Sequence, residues 1–313
     1  MTTVYAVIDK LIALFLLVMA GYFLRRKNIV SEGFSSGISG FLTKVVLPVF
    51  FVMAMQIDFT PEKFHNGLKV YIFSIILILI ATAIGFATAT ICGVKGADKG
   101  IWIYGCMLPN HAFIGFPVME VIFGEEGLFY AAFANAALNT IAFSLGVVIV
   151  GLYAQDKSRK KSLKQLLLTP MNVGTVLGII LFVLDIQLPG PVADSFTMIT
   201  NTMSALAMLF VGMVLAKYPI TSMFKGIKNY EITIVRLIII PIIVYLVMLP
   251  FRGNVIDNVA FGILVLSHAV PVGSIVATVA AEYSDDPMSA SRYVFVSTLL
   301  CLVSIPLISL LII

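Results

Sequence analysis

"CMLPNHAFIGFPV", Cys106–Val118, decides how this chain is read. It lies inside a long apolar run. Ile101–Leu108 has the composition of a membrane helix, and Val118–Phe123 reads as its continuation. Between them stand Pro109, Asn110, His111, Gly115 and Pro117. Proline removes a backbone donor and cannot continue a helical ladder. An amide and an imidazole are thus placed where a span interrupts itself. In hydrocarbon an unpaired peptide group is costly, so such a break persists only where protein or a wet cavity surrounds it. The stretch predicts an enclosed polar space at mid-membrane.

The rest of the chain fits that solvent. It is 60% hydrophobic and 12% charged, with mean hydropathy +1.06. A soluble domain needs far more charged surface, so the lipid bilayer is the expected surrounding. A formal net charge of +4 is too small to argue for nucleic acid as a partner. Cys92, Cys106 and Cys301 lie in apolar runs without a ligand at metal spacing. They read as small core residues, and neither a metal nor a cofactor is expected. The methionines, Met53, Met55, Met203, Met208 and Met213 among them, sit at helical spacing and read as packing. Leu11–Leu24 is followed, not preceded, by Arg25, Arg26 and Lys27 and lacks a small-residue cleavage site, so it reads as a permanent first span.

The apolar runs predict ten helices, at roughly 5–24, 35–56, 68–92, 101–123, 127–153, 170–187, 194–216, 228–250, 258–281 and 288–312. The sixth ends at Leu188-Pro189-Gly190-Pro191. Lys and Arg concentrate in the odd-numbered loops, while the even-numbered loops hold only Lys63, Lys69 and Arg252. The positive-inside rule then puts both termini outside the cytoplasm, in a plasma (inner) membrane protein. The most basic connection, Asp156–Lys164, divides the chain into a first repeat (1–153), a linker (154–169) and a second repeat (170–313). Five helices on each side must insert in opposite senses, an inverted repeat. Helix nine should then copy helix four, and "SHAVPVGS", Ser267–Ser274, has the polar-His-apolar-Pro-Gly character of "NHAFIGFP", Asn110–Pro117. The fold class expected is an all-α polytopic membrane protein, with helices four and nine broken and crossing.

Each break creates a half-helix N-terminus carrying about half a positive charge. Two such ends facing one cavity favour an anion, a carboxylate above all. The residues at the breaks, Asn110, His111, Gly115, His268, Pro271, Gly273 and Ser274, are the candidate substrate site.

"LPNHAFIGFPVM" (Leu108–Met119), "AVPVGSIVATVAAEYSDDP" (Ala269–Pro287) and "LVSIPLISLLI" (Leu302–Ile312) together resemble the fourth, ninth and last helices of the auxin efflux carrier family. The resemblance covers nearly the whole chain. It implies a fold of the bile-acid-symporter type, with helices 1, 2, 6 and 7 as a scaffold, often dimeric. Helices 3–5 and 8–10 would form a mobile transport domain. It also implies Asn110 and Pro271 as crossing-point residues. The short central loop resembles the microbial branch, which includes permeases for malate and malonate.

Other embedded polar groups have two readings each. Asn135 and Asn139, one turn apart, either donate to a carboxylate or join helices. His111, His268 and Glu120 are candidates for ion or proton coupling, with H+ or Na+ as the coupling ion, or are structural. Lys44 and Arg236 are expected to snorkel toward the interface, the alternative being to draw a dianion inward. No phosphate-binding loop and no activated nucleophile pattern is present, Ser144 and Ser274 included, so an enzyme is not expected. The function read from the sequence is a secondary transporter of a small organic anion, working by elevator-type alternating access. The alternative is an anion or ion channel or uniporter using the same site.

Overall fold

In the computed structural model the described residues are 2–141, 145–153, 169–217, 223–283 and 287–312. Residues 154–168 of the basic linker, Ser144, Asp285 and Asp286 lie outside them. Among the described residues all regular structure is helical. The helices are α1 (Thr2–Arg26), α2 (Glu32–Phe41), α3 (Leu47–Ala54), α4 (Pro61–Ile91), α5 (Gly96–Met107), α6 (Phe116–Ile141) and α7 (Val147–Tyr153). They continue as α8 (Pro170–Val183), α9 (Gly190–Thr200), α10 (Met203–Ala216), α11 (Lys228–Ile234) and α12 (Ile240–Met248). The last are α13 (Asn258–Ala269), α14 (Ile275–Tyr283) and α15 (Pro287–Ile312).

Local chemistry starts many of these. Ser31, Thr60, Thr169 and Asp257 cap α2, α4, α8 and α13, each side-chain oxygen accepting an N–H three residues on. Pro61 and Pro170 follow two of the caps, where a missing N–H costs nothing. The same logic explains Gly190-Pro191. The segment does end the sixth span, but its second proline sits in the first turn of α9.

Five stretches are long and apolar enough to cross a membrane: Gly33–Ala54, Pro61–Ile91, Gly190–Ala216, Lys228–Phe251 and Met288–Ile312. Pro170–Val183 and Asn258–Ala269 are shorter apolar helices. The chain is a polytopic integral membrane protein.

Two features depart from the expected continuous spans. Widened π-type turns at Leu42–Val46 and Val235–Ile239 join α2 to α3 and α11 to α12. The expected link between helices four and five shrinks to one corner inside α6, at Gly124, whose φ of 63° suits a residue without Cβ.

Small residues set the closest helix crossings. A methyl group on Gly212 of α10 would lie 1.9 Å from Val18 O of α1, and one on Gly21 would lie 2.1 Å from Leu209 O. Gly174 and Gly178 of α8 likewise bring its backbone close to α3, where an added methyl would lie 2.5 Å from Pro48 O and 2.7 Å from Phe51 O. These are contacts of the small-residue kind that membrane helices use in place of a hydrophobic driving force. A second group packs α4 against α5 and α6, and α13 against α6 and α15.

Candidate anion site at the crossing

The two breaks meet. Pro109 and Val272 form an antiparallel bridge. The Asn110 N–H donates to Pro271 O at 2.9 Å, and the Gly273 N–H donates to Leu108 O at 2.9 Å. Peptide groups freed by one break are thus satisfied by the other, as buried backbone in lipid requires. The Val272 N–H donates to Ser297 Oγ at 3.2 Å, which anchors the crossing on α15. Gly273 permits the approach, because a Cβ there would lie 3.2 Å from Leu108 O.

Beyond each break the chain re-enters a helix. Asn110 Oδ1 accepts the Phe113 N–H (3.3 Å), and the Ile114 and Gly115 N–H groups both donate to Asn110 O. On the other strand Val276 and Ala277 donate to the carbonyls of Gly273 and Ser274. A cavity of about 840 Å³ opens at these two N-termini. Its walls include Asn110, His111, Asn135, Asn139, Gly273 and Ser274, so six of the residues singled out from the sequence are brought together.

The polar groups there are unevenly engaged. Asn110 Nδ2 reaches Ser274 Oγ only at 3.4 Å. Asn135 Nδ2 is buried with no partner, an amide donor awaiting an acceptor. Asn139 Nδ2 is committed to Asn172 Oδ1 at 2.8 Å, joining α6 to α8. His111 Nε2 donates to Ser267 O at 3.0 Å, since a carbonyl only accepts, which leaves Nδ1 without a partner.

Arg25, Lys44 and Lys217 also line the cavity, and no acidic side chain does among the described residues. Ser35, Ser39 and Thr43 add a hydroxyl stripe at a spacing of four from α2 and its π-type turn. That stripe is visible in "SSGISGFLTK" but lies far in sequence from either break.

Four expected site residues are placed elsewhere. Gly115 and Pro271 serve the crossing through their backbone. His268 is buried behind it, with Nδ1 donating to Leu264 O (3.0 Å). Glu120 is exposed, and its carboxylate accepts from Ser204 Oγ at 2.7 Å.

The two long cations part company. Lys44 is exposed at the cavity wall. Arg236 does not snorkel: it is fully buried, with Nε donating to Val270 O (3.1 Å) and Nη1 to Cys106 O (2.8 Å). The reason is that the two breaks free carbonyls beside it, one on each broken helix, and its guanidinium donates to both.

Apolar spans around paired, interrupted helices, with an open cavity whose wall carries amide, hydroxyl and cationic groups at the break, are what a membrane transport protein presents. Residues 6–309 match the family described as "Membrane transport protein", and the chain belongs to that family, the auxin efflux carrier family. It is similar to an uncharacterized transporter of Methanothermobacter thermautotrophicus, 25% identical over 311 residues that cover 96% of each chain. It is also similar to an uncharacterized transporter of Methanocaldococcus jannaschii, 22% identical over 303 residues, again 96% of each. Family and relatives indicate a transporter rather than an enzyme.

Proposed function

We propose that the protein is a secondary transporter of a small organic anion, a carboxylate of the malate or malonate kind, moved by elevator-type alternating access. One observation carries the reading. The cavity at the crossing presents amide donors that lack good acceptors, among cations and hydroxyls, with no acidic side chain among the described residues that line it. A carboxylate supplies the missing acceptors, and charge-assisted bonds of this type are the stronger class.

The arrangement of helices supports a ten-span inverted repeat. Spans one and seven pair through Gly21 and Gly212, and spans two and six pair through Gly174 and Gly178. Exchanging the two halves maps one pair onto the other. These four spans form the scaffold. Spans three to five and eight to ten form the moving group. The scaffold meets it largely through rings: Phe113 with Phe210 at 4.8 Å, and Phe116 with Phe50 and Phe51 at 5.4 and 5.2 Å. Ring contacts are not directional like hydrogen bonds, and the side-chain bonds Asn139–Asn172 and Ser204–Glu120 across this face are ones that sliding must break. The cavity reaches Arg25, Thr169 and Lys217, residues beside the basic loops, so this arrangement is the one open to the cytoplasm.

The test is uptake into proteoliposomes of labelled mono- and dicarboxylates, across pH and with and without Na+. Asn110→Ala is expected to abolish saturable uptake while the protein stays folded. Asn135→Leu is expected to raise KM about tenfold, as for a lost hydrogen bond to a charged group. Uptake unchanged in both variants would move the site elsewhere. Flux that never saturates and shows no counterflow would identify a channel.

A further inference from the structure

The crossing has two chemically opposite sides. One faces the cavity with helix N-termini. On the other, α5 and α13, 12 residues each, end at Met107 and Ala269. The last carbonyls of a helix have no intrahelical donor, and each end carries about half a negative charge. Two ends at one place amount to about one negative charge. Unwound carbonyls of this kind are where transporters coordinate a monovalent metal ion.

Here a side chain is already there. Arg236 Nε and Nη1 donate to the carbonyls of Val270 and Cys106, one acceptor from each broken helix. Its side chain is 0% exposed, and Nη2 is buried without a partner. Among the described residues no carboxylate pairs with it. An uncompensated guanidinium in such a place is strongly destabilising, so the two helix ends are what balance it. The π-type turn Val235–Ile239 that carries Arg236 shifts the helix register at the level of the crossing.

We propose that Arg236 is the resident counter-cation of the crossing. It fills the carbonyl side that a bound monovalent metal ion would otherwise take, so neither the assembly of the crossing nor anion binding requires Na+. The clause about anion binding rests on the carrier reading; the clause about assembly stands without it. Arg236 is a positioning residue: it holds the two breaks in register while their far sides receive the substrate.

The experiment uses the full chain in detergent, without substrate, and replaces NaCl by choline chloride at constant ionic strength. The wild-type melting midpoint is expected not to move. Arg236→Gln is expected to melt about 10 °C lower and to recover part of that loss with NaCl or with methylguanidinium. Arg236→Lys, which keeps the charge with fewer fixed donors, should fall between them. A wild-type midpoint that rises specifically with Na+ would overturn the inference, as would Arg236→Gln or Arg236→Lys melting with the wild type. If the Gln variant does not fold, the Lys variant and the wild-type ion exchange still decide. Uptake separates the two readings. Na+-dependent carboxylate uptake refutes the resident cation and leaves the carrier. No carboxylate uptake refutes the carrier and leaves the melting result to stand alone.

Discussion

His111 and His268 are each half engaged, and their free halves differ. Each ring donates one N–H to a backbone carbonyl and keeps a buried nitrogen without a partner. Only His111 lines the cavity. If H+ is the coupling ion of the proposed carrier, it would meet His111 Nδ1 before His268, and the added positive charge would favour a bound anion. Uptake is expected to rise as pH falls, and His111→Gln to flatten that rise. His268→Gln should keep the shape of the profile, with its effect confined to how much protein folds. Initial rates across pH, normalised to inserted protein, check this. A flattened profile in His268→Gln alone would reverse the assignment. The sequence made both histidines look equivalent, because matched breaks place them alike. Which one reaches the cavity is set by tertiary packing, which puts His111 on the wall and His268 against Leu264 O behind the crossing. The asparagines teach the same lesson. Helical spacing puts Asn135 and Asn139 on one face, but the partner that occupies Asn139 is Asn172, 33 residues away.

At the scale of the element, the interruptions were legible and the close approaches were not. Pro109 and Pro271 announce breaks wherever they stand in an apolar run. The π-type turns carry no such mark, since Leu42–Val46 and Val235–Ile239 are ordinary helix formers in composition. Gly21 and Gly212 look unremarkable alone. Their meaning lies in meeting the opposite backbone across some 190 residues of chain. Gly212→Ala is expected to push α1 and α10 apart and lower the melting midpoint by about 5 °C, the scale of overpacking in a large domain. Gly151→Ala, whose new methyl meets no atom among the described residues, should leave the midpoint unchanged or slightly raised, since alanine is the better helix former. Equal midpoints for the two variants would show that the α1–α10 crossing is looser than described.

For the whole molecule, the proposed division into a scaffold and a moving group makes two cross-links behave oppositely. Phe73 and Phe251 oppose each other within one group, away from the crossing, at 5.0 Å. In a background with Cys92, Cys106 and Cys301 replaced, a short bifunctional thiol reagent joining Phe73→Cys to Phe251→Cys should leave transport largely intact. Phe113 and Phe210 oppose each other across the face proposed to slide. A short bifunctional thiol reagent joining Phe113→Cys to Phe210→Cys should stop uptake, with recovery on reduction. Uptake that survives the second bridge would rule out sliding at this face. The sequence pointed to opposed halves through loop charges and matching breaks. Which spans would travel together entered only through the family resemblance, because loop charges and breaks do not encode it, and the glycine and ring contacts argued for that grouping form only in three dimensions.

The buried guanidinium has an electrical consequence. Arg236 sits on α11–α12, inside the group proposed to move, so its charge moves through whatever part of the membrane voltage that group traverses. Carrying one elementary charge through the full drop is worth about 2.3 kcal/mol per 100 mV. An inside-negative cell would hold the vacant carrier on the cytoplasmic face. A monoanion riding with it would cancel that pull, and a dianion would reverse it. The valence of the passenger thus chooses which half of the cycle the cell's voltage drives.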